Sequence, residues 1–288
     1  MISFIIPSYK RSQVITGVLI ALKNQTIIKK NPCEILVSID NIDPEIKNYT
    51  SYLEQIQKIF TDFQLQLKII LVINNTQGLV LAKNKAINLA KYPYIMMMDD
   101  DLYMEDDYVE SLLKDLKIKE VGAVSGFIVS YRPAISHTQK SDIINNISQI
   151  DNLQTLHIKK TIDGWRSVFG KKEQVMNWIK IRDSIPRQKR YNMDYLINSY
   201  LFKKEAFIKV KGYNIKLNSK TSAHEEVDFT FRIKRLGYNL IFNPHHMMWH
   251  LTVGKGGIYK GLDRKSSKRV LEEEYNEQLP KLIRSISR

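Results

Sequence analysis

Asp99, Asp100 and Asp101 stand in a row behind the apolar run Tyr94-Ile95-Met96-Met97-Met98. A short apolar run bounded by turn signals reads as a buried strand. In open α/β sheets ligands gather outside the carboxyl ends of such strands. Three adjacent carboxylates repel one another, so the block calls for a hard cation such as Mg²⁺ or Mn²⁺, for protonation, or for basic neighbours. The competing reading is that the acids simply open the next helix, where N-caps and first turns favour them.

The elements that would position this block alternate between strand and helix. Ile2 to Ile6 reads as a first strand, followed by the loop Pro7-Ser8-Tyr9-Lys10-Arg11 and a helix capped by Ser12, with Val14, Ile15, Val18, Leu19 and Leu22 at helical spacing. The pattern then predicts a strand from Glu34 to Ile39 ending at Asp40-Asn41, a helix from Pro44 to Phe60, and a strand from Leu67 to Ile73. A helix from Gly78 to Lys91, the strand Tyr94 to Met98, a helix from Asp106 to Leu116 and a strand from Val121 to Tyr131 complete the run. This is the signature of βαβ units and a mainly parallel sheet. Strand ends in such a sheet share one edge, so Pro7 to Arg11, Asp40-Asn41 and the aspartate triplet could line one crevice. From about 132 to 190 the rhythm is lost among polar and basic residues with Trp165, Trp178, Arg182, Arg187, Lys189 and Arg190, which we read as an insertion with irregular or helical elements, either acceptor-facing or a surface excursion. Regularity returns with Tyr195 to Phe202, a helix from Lys203 to Val210 stopped by Gly212, a helix near Glu225 to Leu236 closed by Gly237, and strands Asn239 to Phe242 and Met247 to His250.

Composition narrows the class. At 288 residues, with 43% hydrophobic and 26% charged residues, the chain has the make-up of an ordinary globular protein of one large or two small domains. Its single cysteine, Cys33, excludes an internal disulfide and fits a reducing compartment, and no Cys/His spacing resembles a zinc site. The opening residues lack a basic n-region and no apolar stretch approaches the ~20 residues that span a bilayer, so a cytoplasmic protein without a transmembrane segment is expected. The net charge of +14 points either to a polyanionic partner, whether nucleotide phosphates, an anionic membrane face or nucleic acid, or to a solvated Lys-rich surface.

The segments Ile5-Ile6-Pro7-Ser8-Tyr9-Lys10-Arg11, Gly78-Leu79-Val80-Leu81-Ala82-Lys83-Asn84 and Tyr94 to Asp101 occur in the order and spacing of family-2 glycosyltransferases. Gly212-Tyr213-Asn214, His224-Glu225-Glu226-Val227-Asp228-Phe229, Arg232, Gly237-Tyr238, Pro244 and His250 continue the resemblance, which covers most of the chain except about 132 to 190. It implies an α/β GT-A fold, in which a Rossmann-like nucleotide-binding half with a mostly parallel twisted sheet merges with an acceptor-binding half. We divide the chain accordingly into 1–131 for the nucleotide sugar, 132–190 as a variable insertion, 191–252 as the acceptor and catalytic half, and 253–288 as a basic loop and C-terminal helix.

The implied reaction is transfer of a sugar from a nucleotide diphosphate donor, a UDP-sugar, to a hydroxyl of a glycan or glycoconjugate, with inversion and with Mn²⁺ or Mg²⁺ as cofactor. A divalent ion would stabilise charge developing on the diphosphate, and a carboxylate would take the acceptor's proton. By the same resemblance Asp101 is the implied metal ligand, with Asp99 and His250 as further candidates, and Asp99 or Asp100 the ribose or water-mediated contact. Asp40 would meet the pyrimidine edge, Pro7, Ser8, Tyr9 and Arg11 would lie beside base and ribose, and Gly78, Lys83 and Asn84 would face the donor or order its loop. Glu226 is the implied base with Asp228 as its rival, and Glu225 the contact to an acceptor hydroxyl. Lys83 stands where the family usually has Arg, and Glu226 where it usually has Asp. The loop Gly254-Lys255-Gly256-Gly257 with Lys260, Arg264, Lys265, Lys268 and Arg269 could close over the diphosphate or touch anionic lipid. Two other classes stay open. A nucleotidyltransferase also sets acids beside metal and phosphate, whereas a nucleic-acid-binding protein would want cations where these acids stand.

Overall fold

The computed structural model describes residues 1–75, 78–131, 154–161, 164–171, 187–197, 199–218, 224–251 and 264–275. In chain order the elements of the first half are β1 (Ile2–Pro7), α1 (Ser12–Asn24), α2 (Thr26–Lys30), β2 (Cys33–Asp40), α3 (Ile46–Asp62), β3 (Leu67–Asn74), α4 (Leu79–Leu89), β4 (Tyr94–Met97), β5 (Leu102–Met104), α5 (Tyr108–Leu116) and β6 (Val121–Tyr131). Then follow β7 (Gln154–Thr161), β8 (Gly164–Lys171), β9 (Tyr191–Met193), β10 (Tyr200–Lys203), α6 (Lys204–Lys209), α7 (Glu225–Arg235), β11 (Asn239–Leu251) and α8 (Arg264–Tyr275).

The strands form a mixed sheet in the order β3-β2-β1-β4-β10-β6-β11-β5. Its first four strands are parallel. β10 inserts antiparallel between β4 and β6, and β11 runs parallel to β6 while pairing antiparallel with β5 and β9. The apolar runs of β1, β2 and β4 are continuous because these strands are buried on both faces. Alternation in β1 sends Ile2, Phe4 and Ile6 to a core shared with α1, α3 and α5, and Ile5 to a second core shared with α4, α6, α7 and α8. Ile15, Val18, Leu19 and Leu22 form the buried stripe of α1, and Tyr49, Leu53, Ile56 and Phe60 that of α3. The second core centres on Phe229, which stacks on Tyr213 at 4.2 Å between ring centres and meets Phe202 edge-on at 5.1 Å.

Several expectations change. Ser12 is not a cap: α1 opens after Arg11 with no side-chain cap, and the Ser12 N–H donates instead to Glu45 Oε2 at 2.8 Å. The acid triplet does not open a helix, because the short strand β5 intervenes and Asp107 occupies the N-cap of α5. The two strands expected near the C-terminal end are one strand, β11, with a register irregularity between Asn243 and Met247 around Pro244. Of the region read as irregular or helical, the described part is a β7/β8 hairpin whose second strand pairs with β6. Trp178, Arg182, Gly254, Gly256, Gly257 and Lys260 lie outside the described residues.

Phe229→Ala removes a fully buried ring from the second core. It is expected to lower unfolding stability by ~3–5 kcal/mol in urea titrations.

Candidate active site

Since β1 and β4 are parallel neighbours, the loop after Pro7 and the triplet after Met97 leave the sheet side by side. Ser8 Oγ donates to Asp100 Oδ2 at 2.5 Å, and Arg11 Nη1 donates to Asp100 Oδ1 at 2.8 Å and to Asp101 Oδ2 at 3.0 Å. Arg11, Asp100 and Asp101 are all buried, so the guanidinium is the basic neighbour that three adjacent acids require. Burial still pushes the Asp100 carboxyl up to about 6, against the pull of Arg11 and with a push from Asp101. Asp99 is half-buried at the mouth of the strand.

The loop that delivers Arg11 is shaped from α3 and its approach. The Tyr49 hydroxyl accepts the Arg11 N–H at 3.0 Å and bonds Ser8 Oγ at 2.8 Å. Asp43, buried, accepts the Lys10 N–H at 2.7 Å and the Glu45 N–H at 2.9 Å. These bonds hold Lys10 at φ 55, the left-handed region, and leave Pro7 and Tyr9 half-buried at the rim with Lys10 Nζ 5.1 Å from the Tyr9 ring centre.

Asp40, half-buried at the end of β2, receives the Gly78 N–H on Oδ2 at 3.4 Å, and burial raises its pKa. Gly78 sits at φ 130, and a Cβ there would lie 2.2 Å from Asn218 Oδ1, so no other residue fits this turn. The same Asn218 oxygen accepts the Leu81 N–H at 3.3 Å. One turn further on, the Asn84 side chain accepts the Tyr213 N–H at 2.8 Å and donates to the Tyr213 carbonyl at 3.0 Å. Asn84 thus ties α4 to the segment before α7.

Between these ties Lys83 points into the second core. Its Nζ donates to Glu225 Oε1 at 3.0 Å and to Glu226 Oε1 at 2.9 Å, with the Tyr213 ring centre 5.3 Å away. Burial alone would lower the Lys83 ammonium, but Glu226 and Glu225 hold it well above its ordinary value. Glu226 rises to about 7: burial dominates, Lys83 opposes it, and Glu225 and Asp99 add to it. The charge of Asp99 is thus felt at Glu226. Asp228 is held apart. Its Oδ2 accepts from Arg232 Nε at 3.0 Å and Nη2 at 2.7 Å, and its Oδ1 accepts from the Tyr275 hydroxyl of α8 at 2.5 Å. Arg232 reaches on to the Val210 and Gly212 carbonyls at 2.6 and 2.8 Å, closing the end of α6.

The structure therefore brings together Pro7, Ser8, Tyr9, Arg11, Asp99, Asp100 and Asp101 at one strand edge, with Asp40 and Gly78 beside them. It sets Lys83, Glu225 and Glu226 against one another and turns Asn84 and Asp228 to structural contacts. The side chain of His250 lies outside the described residues; its backbone stands opposite Leu102, the neighbour of Asp101. Sequence reading missed Tyr49, Asp43, Asn218 and Tyr275, whose partners are far away in the chain, and the motif at Tyr213 was the one available signal for that residue.

One further group of ligand-type side chains lies together among the described residues: Glu105, Asp107 and His246, with one atom from each within 4.8 Å of the others. Glu105 Oε2 accepts the Met247 N–H at 2.8 Å and Asp107 pairs with His246 Nδ1 at 3.4 Å, so the group fastens the start of α5 to the irregularity in β11. Burial lowers the His246 pKa against the pull of Asp107, and Arg190 and Arg187 add to the lowering.

Removing Arg11 strands two buried carboxylates. Arg11→Met is expected to destabilise the protein by ~3–5 kcal/mol at neutral pH, and adding Asp100→Asn should recover part of the loss in chemical denaturation. Glu226 gives a pH signature. Its folded value of about 7 lies above the unfolded one, so between ~pH 4 and 7 the native state binds the extra proton and gains stability as pH falls. Melting curves should show the wild type gaining on Glu226→Gln as pH is lowered through that window; a difference that does not change would refute it.

Residues 3–198 match the family model described as Glycosyl transferase family 2, a span that includes the acid triplet and stops short of α7. No curated protein matches the chain. Solved structures share its fold at low identity. The mannosyltransferase PcManGT from Pyrobaculum calidifontis, in complex with GDP-Man and Mn²⁺, superposes with a TM-score of 0.57 at 16% identity over 96% of this chain and 63% of that one. GalNAc-T7 with UDP, GalNAc and Mn²⁺ gives 0.60 at 14% identity over 94% of this chain and 47% of that one. TarS 1-349 of S. aureus in complex with UDP-GlcNAc gives 0.57 at 13% over 96% and 66%. The chain thus spans about half to two thirds of the length of these structures. They share with it the α/β GT-A arrangement expected from the sequence. With four parallel strands at one side of its sheet, an acidic strand end and more than half its length matched, the chain belongs to glycosyl transferase family 2.

Proposed function

We propose that this protein transfers a sugar from a UDP-sugar to a hydroxyl of a glycan or glycoconjugate, with inversion at the anomeric carbon. The observation that carries this reading is the acid triplet at the carboxyl end of β4 beside the loop after β1, with Arg11 meeting two of its three carboxylates. The proteins of like fold carry nucleotide sugars or their parts, uridine in two of the three described, which supports the UDP assignment.

The residues fit a hard divalent cation. The triplet gathers three carboxylates at one strand end, of which Arg11 meets two, and oxygen donors of this kind suit such an ion. Asp100 has one oxygen on Arg11 and the other on Ser8, so Asp99 and Asp101 would hold Mn²⁺ or Mg²⁺, with the His250 backbone placed nearby. The ion, when bound, would stabilise negative charge on the diphosphate leaving group.

Asp40, Pro7 and Tyr9 at the rim would receive the base and ribose. Glu226 takes the proton from the acceptor hydroxyl while its oxygen attacks the anomeric carbon from the face opposite the diphosphate. The carbon–oxygen bond to the diphosphate breaks, and its electron pair leaves with that group. Glu225, beside Glu226 on the first turn of α7, would orient an acceptor hydroxyl. Asp228 is excluded as base in this scheme because both its oxygens accept strong hydrogen bonds. Residues 1–131 would form the donor half and 191–252 the acceptor half. No helix among the described residues is long and apolar enough to cross a membrane. The positive net charge and the basic start of α8 support a peripheral position at an anionic cytoplasmic membrane face.

Thermal-shift screening against nucleotide sugars with and without Mn²⁺ tests the donor; no shift with any of them would sink the reading. Glu226→Gln should retain UDP affinity and lose at least ~10²-fold in kcat. Wild-type kcat should fall as pH drops below about 7, where Glu226 takes up its proton.

A further inference from the structure

We infer that Lys83 serves the acceptor side of the reaction: it is a positioning residue that aims the Glu226 carboxylate and keeps it ionised, and it does not bind the donor. The inference rests on the glycosyltransferase reading and reassigns a residue that the resemblance would place against the donor's charge.

The geometry carries it. Two N–H groups of the Lys83 ammonium point at Glu225 and Glu226, at 3.0 and 2.9 Å, and the Tyr213 ring lies against the same nitrogen. The Lys83 side chain is 3% exposed, against 16% for that of Glu226, so the glutamate is the more accessible of the pair. Lys83 cannot swing readily toward a phosphate. The next residue, Asn84, is locked on both backbone groups of Tyr213, the start of α4 is locked against Asn218, and Tyr213 is itself stacked on Phe229 and bonded to the Tyr200 hydroxyl at 2.6 Å.

The charge balance gives the residue its task. Glu226 is faced by Lys83 from α4, by Glu225 on its own helix, by Asp99 from the end of β4, and by the hydroxyls of Tyr200 and Tyr213. Lys83 is a cation in direct contact with Glu226. Without it the carboxylate would lose that stabilising charge and keep the push of two acids, and would hold a proton more tightly. The single methylene by which Glu226 exceeds the family's usual Asp is matched by a flexible, compact ammonium that can meet two carboxylates at once.

Lys83→Met and Lys83→Arg test this with two readouts on the full chain: UDP binding by calorimetry in Mn²⁺, and UDP release from the UDP-hexoses that the wild type turns over, followed against pH. Lys83→Met should bind UDP within about twofold of wild type, lose about tenfold or more in kcat at neutral pH, and shift the acid limb of the kcat profile upward by about one pH unit or more. Lys83→Arg, which keeps the charge, should restore most of the rate and the position of the limb. A large loss of UDP affinity with an unmoved limb would make Lys83 a donor contact and overturn the inference, as would an unchanged rate. If Lys83→Met does not fold, Glu225→Gln/Lys83→Met removes one stranded acid and is held to the same outcomes. A wild-type protein that releases UDP from no nucleotide sugar overturns the glycosyltransferase reading itself, and this inference with it.

Discussion

A carboxylate taken out of water needs a cation within reach, and this fold meets that need twice with one cation for two acids. Arg11 answers Asp100 and Asp101, and Lys83 answers Glu225 and Glu226. Burial raises the pKa of Asp100 and of Glu226 further than their cations lower it, and the neighbouring acids add to the rise, so neither shows the depressed value of an ordinary ion pair. Much of the surrounding structure exists to hold those two cations in place. Tyr49 and Asp43 shape the loop of Arg11, and Asn84 and Asn218 fix the helix of Lys83.

The two arrangements differ in what they leave available. Arg11 and Ser8 occupy both oxygens of Asp100, making the middle acid of the triplet a structural one between two neighbours that face the crevice differently. Lys83 takes one oxygen of each glutamate, so Glu226 remains a polarised, partly accessible carboxylate. Asp228, two residues after Glu226 and so on a different face of α7, shows the opposite treatment: two donors on one oxygen and a third on the other leave it as a brace between α7 and α8.

The parallel strands of the first half were legible because double burial writes them as unbroken apolar runs, and the shared edge of β1, β2 and β4 follows from their being parallel. β5 escaped because Leu102-Tyr103-Met104 is too short to show a period, and the single strand β11 read as two because Pro244 interrupts its pattern. Within the site, residue types and motif order pointed to the acids. Partners did not follow, since Arg11 meets Asp100 across 89 positions and Lys83 meets Glu226 across 143. The choice between Glu226 and Asp228 turned on Tyr275, a residue outside any motif.

The insertion of β10 between β4 and β6 has a consequence for synthesis. β4 and β6 are complete by Tyr131, but the strand that joins them begins at Tyr200. A ribosome adding ~5–20 residues per second takes about 4 to 14 seconds to cover that interval. Throughout it, Ile95, Met96 and Met97 lie along a strand edge paired only with β1, apolar on both faces and open to any passing chain. The nascent protein therefore spends its most vulnerable seconds with the seam of its sheet unsewn, immediately beside the segment that becomes the acidic edge of the crevice.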